Sequence, residues 1–174
     1  DEVRRKLLTL WNTYSFFVTY ARLDKFDPLS PLDESTLTEL DKWVMARLNR
    51  LIGVSRRDYD SFQTDKLMHK INRFIDDLSN WYVRRSRRRF WKSENDTDKW
   101  AAYHTLYQAL LSLSKLIAPV TPFFTEAIYQ NLVVALDPEA PQSIHLCRFP
   151  EVEERWLDED LLRRVDVVIK TVEL

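Results

Sequence analysis

Residues 64–92 read TDKLMHKINRFIDDLSNWYVRRSRRRFWK, and the way that stretch folds decides the architecture of the chain. Leu67, Ile71, Phe74, Ile75, Leu78 and Tyr82 recur at the three- and four-residue spacing that lines one face of an α-helix, where each residue advances by about 100°. Neither Gly nor Pro interrupts the run. The spacing predicts one long amphipathic helix.

Working outward, the same period returns on both sides, with prolines marking the breaks. A first helix over about residues 1–24 carries Leu7, Leu8, Trp11, Tyr14, Val18 and Ala21 and ends before Pro28 and Pro31. Its second half, Tyr14 to Tyr20, is apolar around most of its circumference, which predicts burial on more than one side. Thr36 and Glu39 stand at capping-box spacing ahead of a second helix that runs to about Asp60. A fourth spans about 97–117 and stops at Pro119. Thr121 is expected to cap a fifth, with Pro122 in its first turn, where a missing N–H costs nothing. Pro138, Pro141 and Pro150 then enclose Ser143 to Phe149, whose Ile144 and Leu146 alternate as in a short extended strand. A last helix is expected from about Leu157. The fold class is all-α: six helices in an antiparallel up-down bundle, with a short irregular or extended segment near 143–149. The expected division is a bundle over 1–136, an irregular connector packed on it over 137–156, and the start of a further helix or junction over 157–174.

Composition narrows the functions. With 26 Lys and Arg against 27 Asp and Glu, the formal charge is -1, so no global field draws the chain to nucleic acid or membrane, and any polyanion site must be local. Gly53 is the single glycine, which excludes the glycine-rich loops that cradle phosphates. Cys147 has no partner for an intramolecular disulfide, and His69, His104 and His145 lie too far apart for a compact metal motif. No run approaches the roughly 18 apolar residues of a membrane span. A reducing, cytoplasmic setting fits. The last residues fall inside a periodic apolar segment (Leu161, Val165, Val168, Ile169, Val172), which suggests a piece of a longer chain.

The strongest local signal is the end of the opening stretch, with six basic residues in the nine positions from Arg84 to Lys92 and aromatics on either side. Continued at α-helical spacing, the buried stripe of Leu78 and Tyr82 reaches Arg85 and Arg89. Arg84, Arg87 and Arg88 point away from it, and Trp91 projects near Arg84 and Arg88. Guanidinium groups beside an indole can neutralise phosphates and stack on unpaired bases, which is how single-stranded RNA is gripped. The same residues can instead be ion-paired or solvated. Spacing favours buried carboxylates or an adjoining domain as partners of Arg85 and Arg89, and leaves the outer three open between the two readings. Asp76 and Asp77 diverge by about 100° on a helix and read as solvated or arginine-paired carboxylates. His69 reads as a packing residue, Cys147 as a small apolar one, and the acidic stretch 151–160 as a solvated connector. Nothing assembles a nucleophile, a base and an oxyanion site.

Taken together, Asp76 through Trp91 resembles the signature of the anticodon-binding domain of isoleucyl-tRNA synthetases, class I enzymes. Further blocks agree in order: Leu10 through Phe17 with Tyr20-Ala21, Leu40 through Val44 leading to Arg47-Leu48-Asn49, Leu116 through Pro119, Pro122 through Tyr129, and Ser143 through Leu146 before Phe149-Pro150. Valyl and leucyl enzymes share the Leu-Asp-x-Trp and Ala-Pro-x-x-Pro-Phe elements, and the arginine-rich Trp-Tyr segment is what selects isoleucine. The alternatives are the equivalent domain of a valyl enzyme and a helical protein-interaction scaffold. The resemblance implies a parent enzyme that activates isoleucine with ATP and Mg and transfers it to its tRNA. This part would bind the anticodon stem-loop of tRNA-Ile and face the catalytic domain of the same polypeptide. The family's ATP motifs, of the His-Ile-Gly-His and Lys-Met-Ser-Lys-Ser types, do not occur in these residues, so no catalytic residue, metal or cofactor is expected here. On this reading Arg84, Arg87, Arg88, Trp91 and Lys92 meet tRNA, and Arg85 and Arg89 form structural or interdomain ion pairs.

Overall fold

The computed structural model describes residues 2–92 and 96–172. The periodic segments become α1 (Glu2–Leu23), α2 (Glu39–Asp60), α3 (Thr64–Asp76), α4 (Arg84–Trp91), α5 (Thr97–Ile117), α6 (Pro122–Tyr129) and α7 (Glu159–Val172). A π turn, Asp77–Val83, joins α3 to α4 without a break, and a second, Gln130–Val134, prolongs α6. The described residues therefore form six helical rods and no strand, an all-α bundle as the periodicity predicts.

Side-chain contacts give the directions of the rods. The ion pair of Lys6 with Asp76 and the edge-on contact of Phe16 with Phe90, ring centroids 5.2 Å apart, make α1 run parallel to α3 and α4. The Tyr59 hydroxyl donates to the Leu116 carbonyl at 2.8 Å and ties the end of α2 to the end of α5. Succession is thus up and down, and α5 runs through the middle. Ala101, Ala102, Tyr103, Leu106, Ala109, Leu110, Leu113 and Leu116 are all buried around it, the pattern of a helix enclosed by its neighbours. Small alanines let the other rods approach, while Tyr103 gathers an aromatic cluster: Phe26 stacks on it at 5.1 Å and Phe90 meets it edge-on at 5.0 Å. Such pairs add about 0.5–1.5 kcal/mol each beyond their burial.

Four local expectations change. Helix α2 is capped by Thr38 and Asp41, not by Thr36 and Glu39: the Thr38 side chain accepts from the Asp41 N–H while the Asp41 carboxylate accepts from the Thr38 N–H. Thr36 is already committed to a 3-10 turn (Glu34–Thr36), with its hydroxyl on the Asp33 carbonyl at 2.7 Å. Thr121 stands at the start of α6 beside Pro122, but its hydroxyl turns back to the Ile117 carbonyl and caps nothing. Residues 143–149 hold a 3-10 turn, Ile144–Leu146, in place of a strand. Glu126 fixes that turn by accepting from the Ser143 hydroxyl at 2.9 Å and the Ile144 N–H at 3.0 Å, leaving no free strand edge to pair. His69, finally, is exposed.

The connector is tied down more than its acidity suggests. Trp156 is buried in the core, and Asn49 of α2 accepts from the Glu153 N–H at 2.8 Å. Helix α7 then packs on α2 through the ion pair of Arg47 with Asp166.

Candidate nucleic-acid interface

The arginine segment is built on the π turn. Within it the Arg84 N–H reaches the Ser79 carbonyl, five residues back, instead of the four of an α-helix. One extra residue in a turn rotates everything after it by about 100°. Before the turn the buried stripe is Leu67, Ile71, Phe74 and Ile75; it passes through Leu78 and Tyr82 within the turn and continues to Ser86 and Phe90 after it, these last four each 1% exposed or less. Trp81, Tyr82 and Val83 are buried in succession within the turn.

This rotation separates the two arginines expected on one inner stripe. Arg89 lies at the inner edge, its side chain 14% exposed, and meets Asp41, which is 0% exposed. Its Nη1 donates to Asp41 Oδ1 at 2.8 Å and its Nη2 to Asp41 Oδ2 at 2.9 Å, the bidentate fork that suits a carboxylate. Its Nη2 also donates to the Asp98 carbonyl at 2.9 Å. Its Nε lies 2.8 Å from Asp98 Oδ1, an ionic contact without hydrogen-bond alignment. Asp41 accepts in addition from Tyr82 Oη at 2.7 Å and from Thr38. Burial by itself would raise the Asp41 pKa, but the Arg89 guanidinium, the Tyr82 hydroxyl and Thr38 together hold it below the ordinary aspartate range.

Arg85 is exposed and has no carboxylate within ion-pair distance among the described residues. Its Cζ lies 3.8 Å above the centre of the Trp81 ring. Among the described residues it thus has no buried carboxylate as partner, because the π turn carries it off the inner face, and only the interdomain form of the expected ion pair stays open to it. Arg84, Arg87 and Arg88 are exposed as expected and likewise meet no carboxylate among the described residues; Arg87 approaches the Trp91 ring at 6.0 Å, and that tryptophan is 54% exposed. Lys92 differs: Asp96 at 2.6 Å and Asp98 at 2.8 Å engage its ammonium. Four exposed arginines thus occupy two turns of one helix in a chain whose formal charge is -1.

The family described as the anticodon-binding domain of tRNA ligase matches residues 41–174. The chain belongs to that family. Among its relatives, the isoleucine–tRNA ligase of Dehalococcoides mccartyi strain 195 is 48% identical over 170 residues, which is 98% of this chain and 17% of the relative. That of Clostridium kluyveri is 47% identical over 174 residues, covering 100% of this chain, and that of Thermus thermophilus 44% over 175 residues, again 100%. Each of these matches takes in 17% of the relative's length, so the anticodon-binding domain spans about a sixth of the proteins it resembles.

Two further features of this anticodon-binding domain stand apart from α4, the first being the arginine pairing that the sequence allowed for Asp77. Asp77, buried in the π turn, accepts from Arg47 Nε at 3.1 Å, and Arg47 also reaches Asp166 of α7. Here burial outweighs Arg47 and Arg73, and the Asp77 pKa is raised. The other is a groove of about 590 Å³ between α1 and α6, lined by Val3, Leu7, Leu8, Trp11 and Phe124, with Arg4 at its rim. Phe123, next in sequence to its Phe124 wall, is 90% exposed. None of these residues belongs to Tyr14 to Tyr20, where Tyr14 and Phe17 are buried and Phe16, Val18 and Tyr20 pack, partly buried, against the core.

Proposed function

We propose that α4 is the surface through which this domain holds the anticodon stem-loop of tRNA-Ile, within a longer isoleucine–tRNA ligase that aminoacylates it. The observation that carries the reading is the group of four arginines, Arg84, Arg85, Arg87 and Arg88, without carboxylate partners among the described residues and with Trp91 beside them. A phosphate backbone supplies the missing negative charge, and an exposed indole suits an unpaired base. Lys92 stands at the margin, its charge already engaged. A cytoplasmic setting accords with that role, and no helix among the described residues is long and apolar enough to cross a membrane. ATP and Mg belong to other parts of the longer polypeptide on this reading. Gly53 lies inside α2, and no three metal-ligating side chains gather among the described residues.

The test is the affinity of the chain for tRNA-Ile as salt is varied. Removing one phosphate-binding cation should reduce the slope of log affinity against log salt by about 0.7–0.9. Arg84→Ala and Arg88→Ala are each expected to weaken binding and flatten that slope. Unchanged affinity in both variants, or an affinity indifferent to salt, would remove α4 from the interface.

Residues 1–136 form the RNA-holding bundle on this proposal, 137–156 its connector and 157–174 the way into a further region. The α1–α6 groove is then covered by the catalytic domain of the same polypeptide, since five-sixths of the length of the relatives lies outside the matched region. Hydroxyl-radical labelling of Trp11 and Phe123 should be strong in the isolated chain and suppressed in the full-length polypeptide; equal labelling in the two would leave the groove uncovered.

A further inference from the structure

The Arg85 contact with Trp81 differs from the other cation–π contacts of the chain. Those of Arg47, Arg56, Arg87 and Arg155 place the guanidinium carbon 5.0–6.0 Å from the ring centre. At 3.8 Å the guanidinium carbon is in van der Waals contact with the indole, the separation at which two flat groups stack. Trp81 is itself buried in the core, and Arg85 covers it. The result is a flat cation with one face on an indole and the opposite face toward solvent. Holding an arginine this way removes rotamer freedom before any ligand arrives, which lowers the cost of binding to it.

We propose that Arg85, seated on Trp81, is a stacking platform for an unpaired nucleobase of RNA, while Arg84 and Arg88 take phosphates on either side of it. Deepening the reading of α4 as the RNA-facing helix, the proposal rests on that reading. A planar, delocalised cation is the partner that a nucleobase face accepts, and arginine planes and aromatic rings are the usual supports for splayed bases. The π turn supplies the platform: it brings Arg85 outward and keeps Trp81 inward on the same side of the rod.

The proposal separates charge from planarity. Arg85→Lys keeps the charge and removes the plane, so binding of the anticodon stem-loop RNA should weaken as much as in Arg85→Ala. The expected loss is about 5- to 150-fold, the range of one base–aromatic stack. Arg84→Lys, at a phosphate position, should bind close to the parent chain. An RNA with one abasic loop position should bind the parent chain more weakly and lose nothing further in Arg85→Lys, which identifies the stacked base. Circular dichroism melts of each variant accompany the titrations, and the lysine variant secures the comparison should the alanine variant fold poorly. Parent-like binding by Arg85→Lys beside weak binding by Arg85→Ala would mean a charge contact and overturn the platform. Parent-like binding by both, with Arg84→Ala and Arg88→Ala impaired, would overturn it while leaving α4 as the interface. Parent-like binding by all four would overturn the interface as well.

Discussion

Arg85 and Arg89 stand one turn apart on α4, and the two sides of the helix they occupy treat a guanidinium in opposite ways. On the inner side, Arg89 meets Asp41 in the first turn of α2 and Asp98 in the first turn of α5. Carboxylates are favoured at both places because helix N-termini carry partial positive charge. The arginine joins two such acids and so binds the starts of two helices to the end of a third. On the outer side, Arg85 has an indole beneath it and, among the described residues, no carboxylate at ion-pair distance. Identical side chains thus become a structural clamp or an available cation according to which helix ends reach them.

Removing the clamp should give the largest effect. Arg89→Ala is expected to destabilise the chain by about 3–5 kcal/mol, the usual cost of stranding one member of a buried pair. Urea melts should show it, and a loss below about 1 kcal/mol, as for an exposed arginine, would erase the contrast between the two sides.

A smaller effect concerns acid. With its folded pKa depressed, Asp41 contributes stability that is fully present above the unfolded value of about 3.9 and is lost as pH falls through the lower folded value. Asp77 acts with the opposite sign: its folded pKa is raised, so acidification through that value toward the unfolded one adds stability. Urea midpoints between neutral pH and about pH 3, each referred to its own neutral value, should fall less steeply in Asp41→Asn than in the parent chain and more steeply in Asp77→Asn. The reverse order would mean that the count of donors around each carboxylate does not decide its titration.

The smallest effect belongs to Arg85. Its exposed cation–π contact is worth about 0.5–1 kcal/mol to stability, so Arg85→Ala should melt close to the parent chain. A loss approaching that of Arg89→Ala would place Arg85 inside the core after all.

How much of this could be read beforehand varies along the rod. Periodicity located α3 well, because a half-buried helix must repeat its apolar residues at helical spacing. It also named Arg89 as an inward residue, yet placed Arg85 with it, since counting at a fixed period cannot register an additional residue in a turn. No local signal marks the turn: Trp81-Tyr82-Val83 is a run of bulky apolar residues, but Trp43-Val44-Met45 is another and lies buried in the regular helix α2. Asp41 left no trace either, because its partner lies 48 residues away and nothing local distinguishes a capping aspartate from a buried counterion. The shift of the α2 cap from Thr36 to Thr38 is of the same kind, as both threonines precede an acid at capping distance and only the turn begun by Asp33 separates them.

The π turn also limits how the arginine segment can be transplanted. Copied alone onto a straight scaffold helix in register with Leu78, residues 84–92 would present Arg85 to the host's interior and Ser86 and Phe90 to its surface. A useful graft has to begin at Asp77, so that the donor's change of pitch travels with the side chains it orients.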